Sequence, residues 1–224
     1  MKLFDQITTK NLTDVQFQKA IGTLMRDIKP LAAKVEQLST VNSNPVYKKA
    51  AVDLGTYFVK HNIALVYGGA KIGMMGAMAN TMIKQNGEVI GVIPDLLKHE
   101  EVIHPNVSEI KITKTMSDRK VIMSQLVDGY ITLPGGFGTL DELFEALTLQ
   151  QLQIEQKPVG LLNVNGFFDA TLQQLDKMVK EGFLKPNNRK LLLVADTVDG
   201  LMQQMNSYKA PEKSHVINKV VNKR

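Results

Sequence analysis

The sequence predicts an α/β protein built on a parallel sheet with helices on both faces. Three observations predict it. Short runs that are apolar throughout, IALVY (63–67), EVIGVI (88–93) and PVGLLNV (158–164), mark strands buried on both faces. Segments between them carry apolar residues at three- and four-residue spacing, the helical period. Two strand runs pass directly into glycine-rich turns, Gly68-Gly69 and Pro134-Gly135-Gly136, at the edge where such sheets bind ligands.

The elements follow in chain order. Asn44-Pro45 is an N-cap followed by proline at the first helical position, and Tyr47, Ala50, Ala51, Leu54 and Phe58 continue at helical spacing. The strand at 63–67 is followed by a helix at 74–85, small and apolar along one face, which stops at Asn86-Gly87. Pro94 closes the strand at 88–93. Beyond it the pattern reads strand 110–113, helix 117–126, strand 129–133, helix 139–152 and strand 158–164. Helix 168–181, strand 191–194 and helix 198–208 complete it. Crossovers of this kind are right-handed. Residues 17–38 have helical spacing, with Pro30 expected to kink them, and 34–38 (KVEQL) makes a poor strand. Three parts result: an atypical helical segment at 1–43, the α/β domain at 44–208, and a basic tail at 209–224.

Composition narrows the function. A chain of 224 residues with 44% hydrophobic and 22% charged residues can build a full core without covalent staples. It has no cysteine, which removes disulfides, thiolate metal sites and cysteine nucleophiles. No apolar run approaches the ~18 residues of a membrane span, and the opening residues form no signal peptide, so a cytoplasmic protein without a membrane partner is expected. The net charge of +5 is concentrated at the ends: residues 1–44 carry +2, residues 209–224 carry +4, and the body carries −1. A nucleic-acid binder would place its basic stripe on the folded body, so no nucleic-acid partner is expected.

The two glycine turns let backbone amides approach an anion, and a helix N-terminus adds partial positive charge. Neither turn is a Walker loop or a G-x-G-x-x-G fingerprint. Thr139-Leu140-Asp141-Glu142 reads as a capping box, Thr139 at N-cap and Glu142 at N3. A carboxylate one turn into a helix that faces a phosphate site serves equally well as a catalytic group, and the spacing leaves both roles open. Arg119-Lys120 sits at the start of a helix, where cations oppose the macrodipole, so an anion is expected nearby. His61, His99, His104 and His215 share no metal-ligand spacing, and no G-x-S-x-G elbow is present. Met74, Met75, Met78 and Met82 fall at core spacing.

Taken together, YGGAKIGMMGAMA (67–79), EVIGVIP (88–94), MSDRK (116–120) and LPGGFGTLDELFEALT (133–148) resemble the LONELY GUY (LOG) family, whose members are often labelled lysine decarboxylases. The similarity runs from about 44 to 208. It implies a Rossmann-like fold, a homodimer with the site near its interface, and hydrolysis of the N-glycosidic bond of adenosine 5′-monophosphates, N6-prenylated ones releasing the cytokinin base. The implied catalytic pair is Arg119 and Glu142. Implied substrate contacts are Glu101, Lys120, Gly136, Gly138, Thr139 and Thr148, joined by Gly69 and Gly135 of the two turns. No metal or organic cofactor is implied, and no lysine is placed as a pyridoxal Schiff base. The family's opening strand and C-G-S-S-x-G loop would fall on 37–42, where Ser39 and Thr40 keep hydroxyls but both glycines are gone. That departure raises the alternative of a catalytically impaired, nucleotide-binding member.

Overall fold

The computed structural model describes residues 44–97 and 103–210, which belong to one unit beginning at Asn44. The helix expected at 17–38, Glu101 and the tail from 211 onward lie outside the described residues.

Helix α1 (Pro45–Lys60) starts as the sequence requires: the Asn44 side chain accepts the Val46 N–H at 3.1 Å and proline stands at the first helical position. Strand β1 (Leu65–Tyr67), helix α2 (Gly73–Lys84) and strand β2 (Val89–Pro94) follow. Then come β3 (Glu109–Thr113), α3 (Met116–Leu126), β4 (Tyr130–Thr132) and α4 (Phe137–Gln151). The chain continues through β5 (Val159–Leu162), α5 (Asp169–Lys180), the single turn α6 (Pro186–Arg189), β6 (Leu192–Ala195) and α7 (Val198–Asn206). Every strand pair is parallel. No helix among the described residues is long and apolar enough to cross a membrane.

Burial explains the elements. Ala51, Leu54 and Phe58 of α1 pack with Met78, Ala79 and Met82 of α2 over Leu65 and Val89. Gly55 permits the close approach of these helices, since a Cβ there would stand 3.1 Å from the Met78 carbonyl oxygen. Leu143 and Ala146 of α4 pack on Val159, Leu161 and Phe168, and Leu162 and Leu201 join α7 to β5. All four β5 residues are buried, as an apolar-throughout run demands.

The strands pair in parallel with helices packed on them, as the sequence predicts, and among the described residues they fall into two groups. There are two three-stranded sheets, β1-β2-β3 and β4-β5-β6. Leu65 N–H donates to Glu88 O at 3.0 Å and Tyr130 N–H to Pro158 O at 2.9 Å. Strand alternation then turns the backbone groups of Val66 and Ile131 away from their own sheets. Between the two edges lies a cleft of about 840 Å³, lined by Val66, Tyr67, Met78, Ile131, Leu133 and Leu143 among others. The Tyr67 hydroxyl is buried in this region without a partner, and burial pushes its pKa up to about 12.

Candidate active site

The site gathers where the strands end. Gly68, Arg119, Pro134, Thr139 and Glu142 line one end of the cleft. Arg119, on α3, is held by two hydrogen bonds: Nε donates to Val92 O of β2 at 3.1 Å, and Nη1 donates to Glu142 Oε1 of α4 at 3.0 Å. It thereby ties one half-sheet to the helix that follows the other. Gly68 makes room for it, since a Cβ there would sit 2.6 Å from Nη2. The Arg119 side chain is 12% exposed and that of Glu142 43%, so the pair has one sheltered partner and one facing solvent.

The capping-box reading of Glu142 is corrected. Helix α4 begins two residues earlier than expected, with Gly136 at the N-cap and no side-chain cap. Thr139 is therefore the third residue of the helix and Glu142 the sixth, too far in to reach the cap. The reason lies in the glycines, which let the backbone enter the helix directly from the turn. The real capping box is at α3, where Thr115 Oγ1 accepts the Asp118 N–H at 3.0 Å and Asp118 accepts the Thr115 N–H at 3.1 Å.

An uncapped helix leaves its first N–H groups free. Leu140 N–H is the first to bond within α4, to Gly136 O, so the amides of Phe137, Gly138 and Thr139 point out of the turn without partners. The glycines divide by cause. Gly135 is required by packing, because a Cβ there would lie 2.1 Å from Thr139 Oγ1. Gly136 and Gly138 have nothing within 4 Å of a built Cβ, so the protein's own packing does not require them. Free amides at a helix N-terminus, bordered by open space, bind anions.

Lys120 is held by two carboxylates of α4, Asp141 at 2.6 Å and Glu145 at 2.7 Å. These hydrogen bonds, the Asp141 one foremost, keep its pKa above the usual lysine value. The anion expected beside Arg119-Lys120 is thus the acidic face of α4: Asp141, Glu142 and Glu145. Asp141 and Glu145 did not stand out in the sequence, although their i, i+4 spacing flanking Glu142 is the signal that marks them.

The other expected contacts are placed unevenly. Gly69 is buried with φ +78°, and its carbonyl accepts the His104 N–H at 2.9 Å, so it shapes the turn from behind. His104 is itself buried, paired through Nε2 with Asn80 Oδ1 at 3.2 Å, while Nδ1 accepts the Asn106 N–H at 3.2 Å. Burial, then the Lys71 charge, lowers its pKa, so it acts as a neutral brace. Thr148 stands six residues beyond Glu142, about 9 Å along the helix axis, and returns its hydroxyl to Phe144 O at 2.7 Å. The structure therefore brings together Arg119, Glu142, Thr139 and the glycine turn, sets Lys120 beside Arg119 on α3, and leaves Thr148 apart.

The described residues form a Rossmann-like parallel α/β protein with a P-G-G-x-G-T-x-x-E turn and an arginine–carboxylate pair at its strand ends. A family model described as "Possible lysine decarboxylase" matches residues 75–205. Cytokinin riboside 5′-monophosphate phosphoribohydrolase LOG1 of Arabidopsis thaliana is 41% identical over 181 residues, covering 81% of this chain and 84% of that protein. The probable phosphoribohydrolase LOG6 of the same plant is 45% identical over 162 residues, covering 72% and 81%. The probable enzyme LOGL2 of Oryza sativa subsp. japonica is 40% identical, covering 81% and 74%. The chain belongs to this LOG family. Among solved structures, the molybdenum cofactor binding protein of Rippkaea orientalis superposes with a TM-score of 0.56 at 25% identity, covering 74% of this chain and 90% of that one. The molybdenum cofactor carrier protein of Chlamydomonas reinhardtii gives 0.55 at 22%, covering 74% and 91%, and shares the fold.

Proposed function

We propose that the protein hydrolyses the N-glycosidic bond of an adenosine 5′-monophosphate, N6-prenylated forms included, releasing the free base and ribose 5-phosphate. The observation that carries this reading is the Arg119–Glu142 pair beside an uncapped helix N-terminus, in a chain about 40% identical to phosphoribohydrolases that carry that activity in their names. The 5′-phosphate docks on the free amides of Phe137, Gly138 and Thr139, with Gly136 and Gly138 leaving it room. As the C1′–N9 bond breaks, positive charge grows on the ribose, and Glu142 stabilises it through Oε2, the oxygen Arg119 leaves free. Water supplies oxygen to C1′, and its proton leaves with the base. Arg119 fixes Glu142 from one side and offers a permanently charged fork to phosphate or base. Lys120, Glu101 and Thr148 complete the substrate contacts in this reading.

A homodimer belongs to the same proposal. Phe137 is 94% exposed at the turn and Phe144 of the same helix is also exposed, apolar surface that supports a partner subunit beside the site. Sedimentation at micromolar concentration tests it, a strict monomer counting against it.

One observation favours the second reading, a nucleotide-binding member without turnover: at 37–42, where the family's C-G-S-S-x-G loop would fall, Ser39 and Thr40 keep hydroxyls but both glycines are gone. Incubation with AMP and N6-prenyl-AMP, with chromatography for free base, separates the two. Base release establishes the enzyme; nucleotide binding without release establishes the binder.

A further inference from the structure

Two cations and three carboxylates face each other across the α3–α4 contact, and their pairing is partitioned. Arg119 goes to Glu142 alone, while Lys120 goes to Asp141 and Glu145 together. The two cations differ in freedom. Arg119 is anchored at Nε on Val92 O, whereas Lys120 is a compact charge on a flexible stem with no other hydrogen bond. Glu142 lies next to Asp141 and one turn before Glu145 on α4, so a lysine released from both has the Glu142 carboxylate within one helical turn of its former partners.

We infer that Asp141 and Glu145 are positioning residues that hold the Lys120 ammonium off Glu142, leaving that carboxylate with one cation and one free oxygen for the reacting ribose. The inference rests on the catalytic reading of Glu142. A second cation on Glu142 would occupy Oε2 and offset the negative charge the transition state needs, lowering turnover at saturating substrate. Either carboxylate suffices to hold Lys120, so their loss is synergistic.

The test is a set of variants assayed on AMP for kcat and KM, with thermal melts alongside: Asp141→Asn, Glu145→Gln, the double variant, and all three in a Lys120→Met background. Each single change is expected to keep kcat within about threefold. The double is expected to lose roughly ten- to a hundredfold in kcat, within the coupling range of contacting residues, with KM raised no further than Lys120→Met alone raises it. In the Lys120→Met background, whose own activity is reduced, the double change should cost nothing further, because the lysine it restrains is gone. Single losses that multiply to give the double, or an equal further loss without Lys120, would overturn the inference. If the double variant does not fold, Glu145→Gln alone at raised salt screens the remaining Asp141 pair; a kcat no more salt-sensitive than wild type then overturns it. Glu142→Gln in the same series keeps the readings apart: full activity there ends the catalytic assignment, whatever the double variant does.

Discussion

Glu142→Gln separates a charge that acts in the transition state from one that only holds helices together. The structural contribution is small. Glu142 is 43% exposed, so its 3.0 Å pair with Arg119 is screened by solvent and contributes at most about 1 kcal/mol. The neutral amide still accepts the Arg119 N–H, which reduces the loss further. In a domain of this size, 1 kcal/mol corresponds to about 2–4 °C in Tm, so the melt should move by no more than that. The functional effect is of another order. Removing one preorganised electrostatic group costs on the order of 10²–10³ in turnover, about 2.7–4 kcal/mol. Base release from AMP and N6-prenyl-AMP by wild type and variant, with calorimetric melts, gives both numbers. A variant that keeps more than about a tenth of wild-type turnover, against the ~10²-fold loss expected, would refute the role assigned to Glu142.

Gly138→Ala tests the phosphate turn: the built Cβ meets no protein atom within 4 Å and alanine favours helix, so Tm should hold or rise while KM for AMP climbs about tenfold. An unchanged KM would move the phosphate elsewhere. Tyr67→Phe deletes a buried hydroxyl that has no partner, so Tm should rise by about 2–4 °C, the equivalent of roughly 1 kcal/mol; a comparable fall would reveal a bond to that hydroxyl. His104 is held below its ordinary pKa by burial and Lys71, so the unfolded chain binds its proton more readily than the folded one. The stability it contributes is full above about pH 6.5 and is lost as pH falls below that toward the folded value. Melts at pH 7.5 and pH 5 should show the drop, and His104→Gln should flatten it; equal slopes in both proteins would assign the acid loss to other groups.

Local sequence chemistry determined a great deal here. Asn44-Pro45 starts α1 where it stands because capping and the proline φ act within two or three residues. The apolar-throughout runs locate the strands to within a residue or two at each end, as with Val159–Leu162 inside 158–164, because burial on both faces leaves no polar alternation to read. The P-G-G-x-G-T-x-x-E stretch points to the site because its glycines and its carboxylate lie within eight residues of one another. The same stretch misled on the cap. A T-x-x-E pattern fits a capping box, but the preceding glycines let α4 begin at Phe137, and only backbone geometry decides where a helix enters. Tertiary structure alone decided the pairings: Arg119 with Glu142, Lys120 with Asp141 and Glu145, His104 with Asn80, and Ser124 and Tyr130 with Glu155. Burial alone would raise the Glu155 pKa, yet the Ser124 and Tyr130 hydrogen bonds and Lys157 bring it below the usual carboxylate value. These partners lie more than twenty residues apart, beyond any local period, and meet because helices pack over a sheet. Periodicity specifies which segments are strands, whereas the order in which they pair, β2 between β1 and β3 and β5 between β4 and β6, depends on the crossovers that the packed helices make.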